Sequence, residues 1–248
     1  MSMFFKKIIK HSYDFGLFDR VEHMVLGRKN NALIGNTQLH VFKEDRSPDS
    51  MTWVCFLPWR TPFVTAKKYG LLPKHSNFIA LEGPATRVDP DPVVAKASLF
   101  RLVEEVEKLK LNDFGVLGLS AGNYPAWYVA NHFNVQKLVS VCPGSCVGSS
   151  IWNGIATKEV CRRSVQDHSM SEKTYDSVLA ETNPVENVEN LPEDIDIYIA
   201  SHDKFIPTYL GEELVSKLVD RKKKYRITRN IGRGHFLTLL NFGLTHKL

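Results

Sequence analysis

Cysteine is scarce: four residues in 248, with no spacing that suggests a disulfide framework. Cys55 and Cys142 fall inside apolar strand-like runs, where a thiol ordinarily serves as a small buried hydrophobe. Cys142 and Cys146 have a loosely metal-like spacing, but no second Cys or His pair stands nearby to complete four ligands, so no metal site is expected. This cysteine usage suits a reducing compartment, and a cytoplasmic location is the expectation. Long apolar runs are missing as well. The strongest, Trp53 to Pro58 and Phe114 to Leu119, fall far short of the ~20 residues of a membrane-spanning helix. No secretory signal is expected, because no uninterrupted apolar stretch or small-residue cleavage site follows the opening residues. Lys6, Lys7 and Lys10 beside Phe4, Phe5, Ile8 and Ile9 fit a short amphipathic helix, which could pack on its own domain or rest on a membrane surface. Charge of one sign is modest too. The net charge is +5, and the densest basic run, Arg221-Lys222-Lys223-Lys224, falls at an expected helix end, where cations complement the helix dipole. A nucleic-acid surface would need a broader basic face or a recognisable module, and neither is present. Internal repeats, low-complexity tracts and Gly/Ser linkers are also absent, so residues 1–248 read as a single domain.

What the chain has in quantity is short β-branched or aromatic runs: Thr37 to Lys43, Thr52 to Leu57, Asn77 to Leu81, Phe114 to Leu119, Lys137 to Cys142, Ile195 to Ala200 and Lys224 to Arg229. Several are almost continuously apolar, as strands buried on both faces must be. Between them, helical spacing appears in Pro92 to Leu111 (Val94, Ala97, Phe100, Leu102, Val103, Val106), in Tyr124 to Phe133 and in Leu210 to Val219. Alternating strands and helices predict an α/β class with a mostly parallel sheet covered on both faces. Residues 145–182 interrupt the rhythm, being more polar and helix-compatible with no convincing strand. They are expected to form a small helical cap over the sheet's carboxyl edge.

The run Phe-Gly-Val-Leu-Gly-Leu-Ser-Ala-Gly-Asn-Tyr-Pro-Ala-Trp reads as strand, Gly-x-Ser-x-Gly, then helix. Such a sharp turn leaves no room for side chains at Gly118 and Gly122, and it lifts the Ser120 hydroxyl above the sheet. The Ala121 amide and the helix dipole point into the same space. A serine hydroxyl is a weak nucleophile at neutral pH and needs a base whose tautomer is itself held by a partner. Of nine histidines, His235 follows the last expected strand directly, at the sheet's carboxyl edge. His132 and His168 lie on expected helices, His75 precedes a strand and His246 is near the end of the chain. Asp203 follows the strand Ile195 to Ala200 at the same edge, whereas Asp194 and Asp196 lie at its other end. Asp203 could instead cap the helix that follows Pro207.

The order Ser120, Asp203, His235 and the elbow Gly118-Leu119-Ser120-Ala121-Gly122 resemble the α/β-hydrolase superfamily, over about Leu39 to Leu240. Phe78-Ile79-Ala80-Leu81-Glu82-Gly83-Pro84 resembles the family's fourth strand and the acidic, glycine-containing loop after it. Asn183 to Val188 resembles the return from cap to core. The resemblance implies a sheet of about eight strands, an acyl-enzyme on Ser120, no cofactor, and a small-molecule or lipid-like acyl substrate. Hydrolysis of an ester or thioester is expected. Acyl transfer through the same triad, or a non-hydrolytic ligand-binding role, are the alternatives. The departure lies at the oxyanion hole: many members carry a His-Gly pair after the third strand, where this chain has Cys55-Phe56-Leu57-Pro58-Trp59-Arg60-Thr61-Pro62. The second backbone donor, beside Ala121, would come from Trp59 or Arg60. That segment, with Gly234-His235-Phe236-Leu237, is similar to thioesterases that release acyl chains from an acyl carrier protein. Trp59, Phe63, Ile151, Trp152 and Phe205 are expected around the nucleophile, in a largely apolar acyl pocket.

Overall fold

The computed structural model describes residues 39–46 and 48–248. The expected N-terminal amphipathic helix and the start of the strand from Thr37 lie outside the described residues. Within them, seven strands form one sheet: β1 (His40–Glu44), β2 (Thr52–Phe56), β3 (Asn77–Glu82), β4 (Phe114–Leu119), β5 (Val135–Val141), β6 (Asp194–Ala200) and β7 (Arg226–Asn230). Their order is β1-β3-β2-β4-β5-β6-β7. Only β1 runs antiparallel, against β3. Its alternation of half-buried and exposed residues is that of an edge strand.

The inner strands are apolar on both sides because both sides are covered. Val54 and Phe56 of β2 face a core shared with Ile79, Leu81, Val116 and Leu138, whereas Trp53 and Cys55 face a second core with Phe78, Ala80, Leu117 and Val139. The first core is closed by α2 (Pro92–Lys108), α3 (Asn123–His132) and α7 (Thr208–Asp220), and the second by α1 (Phe63–Lys68) and α8 (His235–Thr245). Asp91 starts α2 by accepting the Val93 N–H at 2.8 Å, and Pro92 occupies the first turn, where a missing N–H costs least. The buried stripe of α2 is Ala95, Ser98, Leu99, Leu102, Val103 and Val106, and Val94 is exposed. The helix is therefore rotated from the phase that the sequence suggested, and it ends at Lys108 rather than Leu111.

The topology places the site. Moving from β2 to β3 and then back across β2 to β4 reverses the winding. With right-handed crossovers, α1 then lies on one face and α3 on the other. The carboxyl ends of the neighbours β2 and β4 therefore open into a crevice, where ligands bind in sheets of this kind. Ser120 follows β4 directly, and the Leu57–Pro62 segment follows β2. Residues 145–182 form α4 (Val147–Asn153), α5 (Lys158–His168), α6 (Glu172–Val178) and a 3-10 turn, Ala180–Thr182, with no strand. They are tied to loops at the strands' carboxyl ends: Tyr175 donates to the Asp89 carbonyl at 2.6 Å, Ser164 to that of Pro90 at 2.6 Å, and the Ile155 N–H to that of Lys204 at 2.8 Å. None of the helices in the described residues is long and apolar enough to cross a membrane.

Candidate active site

Ser120 sits at φ 55°, in the left-handed region, at the head of a 3-10 turn, Ser120–Gly122, that runs into α3. A non-glycine residue held there is strained by about 1–2 kcal/mol, so the turn must be enforced by its surroundings. The enforcement is steric. A Cβ on Gly118 would lie 2.6 Å from the Cβ of Ala126, and one on Gly122 only 2.1 Å from the Phe56 carbonyl oxygen. Both glycines are thus required by close approach, the first of α3 to β4 and the second of the elbow to the end of β2. Gly122→Ala, which meets backbone rather than a movable side chain, is expected to cost about 3 kcal/mol or more, measured by denaturant unfolding.

A buried polar chain holds the elbow from below. Trp127 Nε1 donates to Ser140 Oγ at 3.0 Å, and Ser140 Oγ donates to Asn123 Oδ1 at 2.6 Å. Asn123 Nδ2 donates to the Ser120 and Val141 carbonyls, each at 2.8 Å. The sequence reading missed this set. Its signal was a serine in the otherwise apolar β5 run and an asparagine directly after the pentapeptide.

Above the sheet, His235 Nε2 lies 2.8 Å from Ser120 Oγ, and His235 Nδ1 lies 2.6 Å from Asp203 Oδ2. In the neutral imidazole, Nδ1 carries the proton and donates to Asp203, and Nε2 presents a lone pair to the Ser120 hydroxyl. His235 and Asp203 are buried, and Ser120 is half-buried. Burial works against the charged imidazole, but the adjoining Asp203 carboxylate and the Cys142 sulfur together outweigh it and hold the His235 pKa well above its ordinary value of 6.5. Asp203 is itself fixed on its other oxygen, where Oδ1 accepts the N–H groups of Phe205 and Ile206 at 2.9 and 3.0 Å. The Asp203 N–H donates to Thr208 Oγ1, which in turn donates to the Ala200 carbonyl. One carboxylate thus organises the turn that leads to α7 and orients His235, but it does not cap α7 itself, which starts after Pro207 with no side-chain cap. His235 is the first residue of α8 rather than part of a loop.

The competing residues are engaged elsewhere. Asp194 and Asp196 pair with Lys137 and Arg226 near the amino end of the sheet. His132 stacks on Tyr128, and His246 Nε2 donates to the Gly70 carbonyl while its ring stacks on Phe242. Cys142 donates weakly to the His235 carbonyl at 3.7 Å. Its sulfur lies within 4.8 Å of ligand atoms of Asp203 and His235, a proximity that the chain order did not reveal.

The expected pocket residues divide. Phe205 stacks on the His235 ring, 5.3 Å between centroids, and so lies beside the reacting groups. Trp59 is half-buried with the Arg60 guanidinium 4.1 Å above its ring. Phe63 instead stacks on Phe42 of the edge strand at 4.2 Å, Ile151 is buried in the core at 1% exposure, and Trp152 packs against Tyr175. These three share their apolar surface with the packing around them, and Phe63 and Trp152 remain half-buried. The Pro58–Thr61 segment is a tight turn closed by the Thr61 N–H on the Pro58 carbonyl at 3.1 Å. Arg60 is at φ 58°, and Trp59 is not among the positive-φ residues, which is the type II pattern.

No protein-family model matches the sequence, and no curated protein matches it significantly. Solved structures do match in three dimensions. MGS-M2, an alpha/beta hydrolase enzyme from a Medee basin deep-sea metagenome library, is 11% identical with a TM-score of 0.54, over 85% of this chain and 95% of that one. The esterase EaEST from Exiguobacterium antarcticum is 15% identical with a TM-score of 0.51, over 84% and 96%. The chain has the α/β-hydrolase fold. It also matches the Pyrococcus horikoshii acylaminoacyl peptidase at 11% identity and a TM-score of 0.56, where 86% of this chain spans 39% of that one. Within the α/β-hydrolase fold, the Ser120 turn at the crevice between β2 and β4 and the loops after β6 and β7 all meet at one edge of the sheet.

Proposed function

We propose that this protein is a serine hydrolase that cleaves a carboxylic ester or thioester through an acyl-enzyme on Ser120. The observation that carries the reading is the unbroken chain from Ser120 Oγ to His235 Nε2 at 2.8 Å and from His235 Nδ1 to Asp203 Oδ2 at 2.6 Å, set on a strained turn at the sheet's switch point. As Ser120 Oγ attacks the acyl carbonyl, its proton passes to His235 Nε2, and Asp203 stabilises the imidazolium. The Ala121 amide and an amide of the Trp59–Arg60 turn hold the oxyanion, each such donor being worth roughly 3 kcal/mol in the transition state. His235 then returns the proton to the leaving alcohol or thiol, and water, activated by the same imidazole, releases the acid. A second alcohol, thiol or amine in place of water would make the reaction an acyl transfer.

Phe205 against His235 and the half-buried Trp59 support an apolar acyl group, free or lipid-like, or carried as a thioester on an acyl carrier protein. The test is a fluorophosphonate probe with mass mapping of the adduct, followed by p-nitrophenyl esters and acyl-thioesters of graded length. Stoichiometric labelling at Ser120 is the expected result. A folded protein that stays unlabelled and turns over neither series would reject the enzyme in favour of a ligand-binding protein.

A further inference from the structure

Arg87 is 2% exposed, the one lysine or arginine in the described residues buried to this degree. It ends a 3-10 turn, Ala85–Arg87, just after β3, and its Nη2 donates to the Leu57 carbonyl. Its Nε and Nη1 are buried with no hydrogen-bond partner among the described residues. Burial lowers its pKa to about 10 against the opposing field of the Glu82 carboxylate, so the guanidinium remains charged at neutral pH. Burying an incompletely paired cation costs more than one charged hydrogen bond returns. Stability alone is a poor reason for Arg87 to be there.

What Arg87 grips is informative. The Leu57 carbonyl that it binds also lies against the nucleophile turn: a Cβ on Gly122 would come within 2.9 Å of that oxygen. The Leu57 N–H goes to the Leu81 carbonyl, and Pro58 has no N–H and a fixed φ, so Trp59 carries the first amide donor after Leu57. Once the Leu57–Pro58 peptide plane is fixed by Arg87, the direction of the Trp59 N–H depends on little more than Pro58 ψ, which the Pro58–Thr61 turn closes. The segment's far end is held by the other acid-base partner: Glu82 Oε2 accepts the Phe63 N–H at 2.8 Å. Gly83, between the two, has no Cβ because one would sit 2.5 Å from Arg87 Nη1.

We propose that Arg87 and Glu82 are positioning residues for the oxyanion site, fixing the two ends of the Leu57–Phe63 segment so that its backbone donor faces the carbonyl attacked by Ser120. The pair takes the place of the local sequence signal absent at Leu57-Pro58. This inference rests on the serine-hydrolase reading.

The test compares Arg87→Met, Arg87→Lys and Glu82→Met with the parent, counting functional sites by end-point fluorophosphonate titration and reading steady-state ester hydrolysis and amide exchange. Arg87→Met is expected to lower kcat per titrated site by about tenfold or more with KM within about twofold, because a misplaced donor is missed mainly in the transition state. Arg87→Lys recovers part of the loss, and Glu82→Met, which removes the acceptor of the Phe63 N–H, lowers kcat severalfold. Amides of residues 57–63 exchange roughly tenfold faster in Arg87→Met, and those of β4 do not change. Unchanged kcat per site in both Arg87→Met and Glu82→Met would overturn the proposal, as would exchange that accelerates throughout the sheet. If Arg87→Met does not fold, Glu82→Met decides alone: unaltered kcat and unaltered exchange in the 57–63 segment sink the idea. A parent that neither labels nor turns over rejects the hydrolase reading itself, and the exchange comparison still decides whether these two residues hold the segment.

Discussion

Ser120→Ala is expected to lower kcat by a factor on the order of 10⁶ while leaving the fold intact. The activity that persists would come from the oxyanion donors and substrate binding, roughly 10³-fold over water. Loss of the hydroxyl removes one hydrogen bond at a half-buried position, worth about 1 kcal/mol, so the melting temperature should move by only a few degrees. The backbone makes a second variant informative. Ser120 is held at φ 55°, and alanine at that position keeps the strain whereas glycine does not. Ser120→Gly should therefore be more stable than Ser120→Ala by roughly 1 kcal/mol, although both are inactive. A thermal melt of the two variants beside the parent, with ester turnover, checks both halves. Turnover within about tenfold of the parent in either variant would remove Ser120 from the chemistry.

The elbow was legible in the sequence because its constraint is local. A strand that must turn into a helix within three residues needs small residues at Gly118 and Gly122, and the Cβ contacts show why neither can be larger. The carboxyl-edge positions of Asp203 and His235 were legible because chain order in a parallel sheet dictates which loops share an edge. The sheet itself was readable from runs that are apolar on both faces. What escaped was non-local or masked by excess hydrophobicity. The buried positions of α8, namely His235, Thr238, Leu239, Phe242 and Gly243, follow helical spacing, but Leu237, Leu240 and Leu244 blur the pattern. Arg87 gave no sign of burial, since an arginine after a strand and a proline reads as surface. Its acceptor is a backbone carbonyl 30 residues away, with no side-chain identity for a sequence to display. Loop position alone does not separate a pocket role from a packing role for Phe63, Ile151 and Trp152, because rings and branched chains near a carboxyl edge can also complete the core beneath it. The eighth strand of the expected count has no counterpart in the described residues.

Asp203→Asn should cut kcat by about 10⁴-fold and reshape the pH profile, the second largest effect expected. In the parent, His235 must be neutral to accept the Ser120 proton. Because Asp203 and the Cys142 sulfur together hold the His235 pKa above its ordinary 6.5, the acid limb of kcat/KM should lie on the alkaline side of that value, with activity rising as pH increases through the raised pKa. The linked stability runs the other way. A histidine whose folded pKa exceeds its unfolded one binds more protons when folded, so its contribution is fully present below the unfolded pKa and is lost as pH rises through the folded one. Activity should therefore grow over the same pH interval in which this pair's contribution to the melting temperature declines. Asparagine removes the Asp203 charge but not the burial that opposes a charged imidazole, so the His235 pKa should fall and move the residual acid limb to lower pH. Its amide can also donate to Nδ1 and favour the wrong tautomer, which is why kcat collapses rather than merely shifting with pH. Unfolding by loss of the turn is not expected to account for the result, because the Oδ1 acceptor used by Phe205 and Ile206 persists in asparagine. A variant whose acid limb stays where it was, at any level of residual activity, would show that Asp203 does not set the state of His235.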